Sequence, residues 1–238
     1  GGGRGGCDWY GVIVARVRSD AVLFHVPVTT ENTAEPYMDA LHAYLAWNPR
    51  FDTDVPLLPA VYSGYTIYFT SPQDANDTLD AFVMAQGRDF LWGCQLGWNG
   101  SWLLGPEHAA KLAYQLELAR LRLAAKEFLV YGQLVDAVDP LLPVPVVSAT
   151  WNRKTAHSAA LPAALGTVWR SRHGRLAVLL ANVTDAPQRL RHRLDPERWL
   201  PQSPAGWLAS RLTAAGSAPW QAWDGGTLER DDWLGPRE

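Results

Sequence analysis

Cysteine is scarce in this chain: Cys7 and Cys94 are the only two in 238 residues. Two cysteines make at most one bridge, and neither belongs to a CxxC pair or stands near a histidine at metal-ligand spacing. A disulfide scaffold is excluded and structural zinc is not expected. The six histidines are dispersed, with no pair at the i to i+4 spacing of a helical metal site. Neither a metal nor a cofactor is therefore expected. Long hydrophobic runs are also lacking; none approaches the roughly 20 residues of a bilayer-crossing helix. The opening GGGRGGCDWY has no apolar core of the kind a secretory leader carries. A soluble chain with no membrane partner and no visible address is expected. Charge of neither sign dominates, since 21 basic and 24 acidic residues give a formal net charge of −3. The arginines are scattered instead of forming a stripe, so nucleic acid is not an expected partner. GGGRGG satisfies GxGxxG in form, but no strand precedes it and no clear helix opens on it, so a dinucleotide site fails its structural test.

Tryptophan is abundant, with twelve in all, and Trp92, Trp98 and Trp102 cluster in FLWGCQLGWNGSW. Indoles suit flat apolar faces such as sugar rings, and they also fill ordinary cores. From residue 21 the chain alternates between β-rich runs and helical patterns. AVLFHVPVTT reads as a buried strand, followed by AEPYMDALHAYLAW, where Tyr37, Leu41, Tyr44 and Leu45 recur at helical spacing. VPLLPAVY opens a second unit; after YTIYF comes a helix over SPQDANDTLDAFVMAQG, with Ser71 as N-cap, Pro72 at the first position and Gly87 as its end. The third unit pairs FLWGCQLGW with a helix from about Pro106 to Tyr131, its stripe formed by Leu112, Leu116, Ala119 and Leu123 and its stop by Gly132. Three strand and helix alternations predict a parallel sheet covered by helices.

At PLLPVPVV the pattern changes. Three prolines mark a linker, and VVSATW, ALGTVWRS, RLAVLLANVT and QRLRHRL follow as strands, with SRHGR a hairpin turn. After Pro201 only irregular strands or partial disorder are expected. The predicted class is α/β plus all-β: residues 1–20 an atypical glycine-rich start, 21–139 an α/β part and 140–238 an antiparallel β-sandwich.

The segments TTENTAEPYMDALHAYLAWNP, VPLLPAVYSGYTIYF, QGRDFLWGCQLGWNGSWLL and LGTVWRSRHGRLAVLLANVTDAPQ resemble the closing portion of a bacterial glycoside-hydrolase-like TIM-barrel family of unknown function. The resemblance runs from about Thr29 to Trp199. It implies a (β/α)8 barrel with a C-terminal β-sandwich and a carbohydrate substrate, but no particular sugar. A barrel needs eight βα units and typically about 250 residues. Three units are present, so the chain is expected to be the C-terminal fragment of a longer protein, holding the last three units and inactive alone. An open part-barrel would also expose an unpaired edge, and poor solubility is expected.

Barrel enzymes carry their catalytic groups at the carboxyl ends of strands, and Glu31 directly follows the VPVTT strand. Glu31 is the candidate catalytic carboxylate. Glu35 lies one turn into the helix, where it is either catalytic or a favourable charge at the positive end of the macrodipole. Glycosidic cleavage normally takes two carboxyl groups set across the sugar. Asp89, at the start of the third strand, would face the wrong end, so the partner of Glu31 is expected on a missing strand. Tyr62, Tyr65, Gln95, Trp98 and Asn99 are the expected substrate-binding residues, Trp98 by stacking and the amides by hydrogen bonding. Trp92 reads as core. Asn182 in NVT meets the glycosylation pattern by chance within a strand. The alternative to an enzyme is a non-catalytic carbohydrate-binding protein.

Overall fold

The computed structural model describes residues 6–23, 25–30, 41–45, 54–70, 72–152, 156–200, 207–213, 216–223 and 226–238. Helix α1 (Gly6–Ser19) is followed by three short strands, β1 (Thr29–Thr30), β2 (Ala43–Leu45) and β3 (Ile67–Phe69). These form a parallel sheet in the order β1-β2-β3. Gln95 extends it by a parallel bridge to Phe69, its N–H donating to Tyr68 O at 2.6 Å while its carbonyl accepts from Thr70 N at 3.1 Å. Val14 of α1 packs with Leu41 and Tyr44 over this sheet.

Several expectations for the α/β part need correction. Residues 43–45 lie inside a segment with helical apolar spacing, yet they are strand β2, paired on both edges and fully buried. Burial on every side erases the alternation that would mark a strand. VPLLPAVY contains helix α2 (Leu57–Tyr62), not a strand. Its Pro59 falls in the first turn, where the missing N–H has no intrahelical partner to lose. Helix α3 (Leu79–Leu91) begins at Thr78, whose Oγ1 accepts from Ala81 N at 3.1 Å; Ser71, the expected cap, lies outside the described residues. The helix runs through Gly87 instead of stopping there. A Cβ at Gly87 would stand 2.9 Å from Tyr114 Oη, so that glycine permits close approach of the next helix. Phe90 and Leu91 are consequently helical, and the chain turns at Gly93 (φ 72°), where a Cβ would meet the Trp169 ring at 2.6 Å.

Two 3-10 turns (Ser101–Leu104 and Pro106–His108) lead into α4 (Ala109–Ala124), and α5 (Lys126–Leu129) follows. Of the predicted stripe of α4 only Leu112 packs against the core. Lys111, Tyr114, Gln115 and Leu118 are buried, whereas Leu116 and Leu123 are 46% and 69% exposed. Lys111 fixes this orientation by donating from Nζ to Ala75 O at 2.9 Å and Asp77 O at 2.5 Å. Burial lowers its pKa, opposed by the charges of Asp77 and Asp74.

The remaining strands are β4 (Gln133–Ala137), β5 (Val146–Asn152), β6 (Ala156–Pro162), β7 (Ala164–Arg170), β8 (Leu176–Asn182), β9 (Gln188–Leu194), β10 (Trp207–Thr213), β11 (Gly216–Trp223) and β12 (Leu228–Leu234), with a helical turn α6 (Pro196–Trp199) after β9. All pair antiparallel, as β4-β7-β8, β5-β6, β9-β12 and β10-β11. SRHGR is the β7-β8 turn, with Gly174 at φ 73°. Beyond Pro201 the chain is more regular than expected, since β12 holds a seven-residue register with β9.

β7 lies between two cores. Val168 and Ala164 face Leu190, Leu194, Trp199 and Leu234, while Trp169 joins the core of α3 and α4. On that side Thr167 Oγ1 and Trp169 Nε1 each donate at 3.0 Å to Leu91 O, satisfying a carbonyl at the end of α3 that the helix cannot satisfy itself. The β5-β6 hairpin covers the other end of α3, with Trp151 Nε1 donating to Ala81 O at 3.1 Å. Covered on so many sides, α3 is buried at every residue from Ala81 to Leu91.

Candidate functional site

The carboxyl end of the parallel sheet gathers the candidate binding groups. β3 delivers Phe69 and then Thr70; the adjacent Gln95 delivers Trp98 and Asn99 across a turn at Gly97 (φ 114°), which Asn99 N closes by donating to Gly97 O at 2.8 Å. The Phe69 and Trp98 rings lie 6.0 Å apart, tilted by 55°, and Trp98 remains 43% exposed. An added Cβ at Gly97 would meet nothing within 4 Å, so this corner is open. Beside the indole, both side-chain amide atoms of Asn99 are buried without a hydrogen-bond partner, as is the hydroxyl of the fully buried Thr70. Buried polar atoms are rarely left so, because each costs about 1–3 kcal/mol of desolvation. Gln95 is partly occupied locally, its Nε2 donating to Leu96 O at 3.3 Å. An exposed indole can take the apolar face of a polyhydroxylated ring, and the neighbouring Asn99 amide could bond its hydroxyls only once uncovered. Phe69 and Thr70 were not singled out from the sequence. The signal was there, since a strand ending in YFT places its last residues at the carboxyl edge of a parallel sheet.

The other candidates are distributed differently. β1 ends at Thr30, but Glu31 and Glu35 themselves lie outside the described residues. Tyr62 closes α2 and Tyr65 sits in the turn before β3, so both stand at the amino end of that strand, opposite Thr70. Two prolines and an apolar run disguise α2 in the sequence, and the error in element type carries its tyrosines to the wrong end. Tyr65 is 85% exposed, and Tyr62 borders a cavity of about 40 Å³ shared with Tyr44, Trp92 and Arg122, room for little more than a water. Asp89 is neither strand nor site. It is buried in α3 with Arg88 Nη2 at 2.9 Å, and the Arg88 guanidinium lies 4.2 Å from the Trp92 ring centroid, packing that indole against the core. Trp102 is held edge-on by Phe82 and His108, at 6.5 and 4.9 Å between centroids, and serves packing. Asn182 is fully buried, its Nδ2 donating to Ala186 O at 2.8 Å and Gly235 O at 2.7 Å.

Cys94 is a fully buried thiol that burial pushes well above its usual range, with the Asp89 charge adding to the effect. Arg122 braces the same turn, donating to Cys94 O at 3.0 Å and Gly93 O at 3.1 Å. Among the described residues no cluster of three or more His, Cys, Asp or Glu side chains could hold a metal ion, and no helix is long and apolar enough to cross a membrane.

In sequence the chain is similar to proteins named as glycoside hydrolases. It is similar to the protein named "Putative glycoside hydrolase 22789" of Monosiga brevicollis, 31% identical over 195 residues that cover 68% of this chain and 16% of that protein. It is also similar to a "Putative glycoside hydrolase" of Bacteroides thetaiotaomicron, 25% identical over 192 residues that cover 76% of this chain and 27% of that protein. The matched region thus spans less than a third of either relative. No family model matches the chain, and no solved structure matches it.

Proposed function

We propose that the carboxyl end of the parallel sheet binds a carbohydrate, and that the chain is the C-terminal part of a glycoside hydrolase acting on an O-glycosyl bond. The observation that carries this reading is the half-exposed Trp98 beside the buried, unpartnered amide of Asn99. The names of the two relatives support the same chemistry. In this reading the four parallel segments β1, β2, β3 and Gln95, one more than the three units expected, are the last of a (β/α)8 barrel, and the antiparallel layers are its sandwich. Glu31, next after β1, is the catalytic carboxylate. Its partner acid comes from neither β3 nor the Gln95 segment, because Phe69–Thr70 and Gln95–Asn99 contribute no carboxyl group.

Carbohydrate binding is tested on the chain by electrophoresis through native gels cast with soluble polysaccharides. Trp98→Ala is expected to lose retardation by at least about tenfold in apparent affinity, the equivalent of about 1.4 kcal/mol, and Asn99→Ala to weaken it as well. Wild-type mobility unchanged by every polysaccharide would refute binding here. The lack of a carboxyl group on those two segments favours a second reading, a binding protein that breaks no bond. Glu31→Gln in the longer enzyme separates the two: turnover lost with binding kept supports hydrolysis, and absence of turnover in the unsubstituted enzyme supports binding alone.

A further inference from the structure

Trp98 and Asn99 belong to a short span that is anchored at both ends and open between them. On one side Gln95 is pinned in the sheet, its N–H donating to Tyr68 O at 2.6 Å, and Leu96 is buried. On the other side Gly100 lies against Trp102, where an added Cβ would stand 2.6 Å from Cδ1, and its carbonyl accepts from Leu103 N at 3.2 Å. Trp102 is itself fixed by Phe82 and His108, and Lys111 Nζ lies 5.3 Å from its ring centroid. Between these anchors Gly97 has open space around it and a φ of 114°, a backbone state that glycine adopts readily and other residues do not. Asn99 N closes the turn by donating to Gly97 O at 2.8 Å. Closed in this way, the turn keeps both amide atoms of Asn99 from solvent without a partner, a desolvation cost that the fold does not recover.

We propose that residues 97–99 form a flap hinged at Gly97, and that its opening delivers the Asn99 amide to two adjacent hydroxyls of a sugar ring stacked on Trp98. The proposal rests on the carbohydrate reading and adds to it the hydroxyl pattern that is read and the movement that reaches it. A primary amide offers a donor and an acceptor side by side. Neighbouring ring hydroxyls match it, one accepting from Nδ2 and the other donating to Oδ1, whereas a lone hydroxyl leaves one of the two atoms unmet. Release of the amide offsets the loss of the bond between Asn99 and Gly97, so the closed and open turns lie close enough in free energy for a ligand to choose between them.

Native-gel retardation and urea denaturation of the full chain test the flap together. Gly97→Ala has room for its methyl group but disfavours the closed φ, so it is expected to populate the open turn and to tighten retardation at least about threefold. Asn99→Ala is expected to raise the denaturation midpoint of the ligand-free chain, by removing an unpartnered amide, and to weaken retardation at least about tenfold. The polysaccharides that retard the wild type are expected to carry adjacent free ring hydroxyls in their repeat; a glucan linked through O3, whose internal residues keep no such pair, is expected not to. A wild type retarded by no polysaccharide refutes the carbohydrate reading, and the flap with it. With the wild type retarded and Trp98→Ala not, three results overturn the flap alone and leave the stacking site standing: a folded Gly97→Ala that does not bind more tightly, an Asn99→Ala whose midpoint is not raised or whose retardation is unchanged, or strong retardation by the O3-linked glucan. Should Gly97→Ala lose its circular dichroism spectrum, Asn99→Ala and the glucan decide the matter.

Discussion

His192 occupies the inward face of β9, 1% exposed, and its Nε2 lies 3.0 Å from Asp232 Oδ2 on β12. Arg230 Nη2 donates to the other carboxylate oxygen at 3.2 Å. The hydrogen bond from His192 holds the Asp232 carboxyl below its usual range, Arg230 adds to this, and burial opposes it. A folded pKa below the unfolded value of about 3.9 contributes stability above that pH, and the contribution is lost as pH falls through the folded value. Asp232→Asn is therefore expected to cost about 1 kcal/mol at pH 7, a figure discounted for partial solvent screening. The difference from wild type should shrink in urea titrations repeated below about pH 4. A difference independent of pH would show that the carboxylate charge is not what His192 responds to. At this scale the sequence is a weak guide, because QRLRHRL shows that His192 shares a face with Leu190 and Leu194 but not that Asp232 waits forty residues on. The pairing of Asn99 with an open, apolar corner is hidden for the same reason.

For the elements, legibility depended on how the burial is arranged. β7, β8 and β9 could be read with their boundaries because turns with glycine, proline and aspartate bracket them and their faces differ. β2 could not, since three residues buried on every side carry no alternation, and α2 could not, since its prolines mimic the end of a strand. In α4 the period is legible and the phase is not: Lys111 and Gln115 bury their stems while Leu116 and Leu123 face out, an exchange that hydropathy alone assigns backwards. The start of α3 offers a test. Thr78 caps it through Ala81 N, with Asp80 in the first turn. Thr78→Ala should cost about 1 kcal/mol, seen as a lower denaturation midpoint at unchanged slope. An unaffected midpoint would place the working cap elsewhere.

Across the whole molecule, one apolar core contains α3, α4, the β5-β6 hairpin and one face of the β4-β7-β8 sheet. Helices and strands sharing a core should unfold together. Tryptophan fluorescence and far-ultraviolet circular dichroism are expected to give coincident melting curves, and two separated transitions would mean that the helical and β parts stand apart. The last residues join the same unit: Asn182 N donates to Glu238 O at 2.6 Å and Arg237 Nη2 reaches Asp80 at 3.1 Å. The pairing of β4 with β7 also governs how the protein can be dissected. The proline-rich stretch at residue 140 invites a cut, but β4 lies before it and β7 after it. Severing the chain there would leave one half with a strand lacking its partner and the other with an open sheet edge and a bare Trp169. The two pieces would then have to be produced together and reassembled, as a split protein, before either could be studied in its native form.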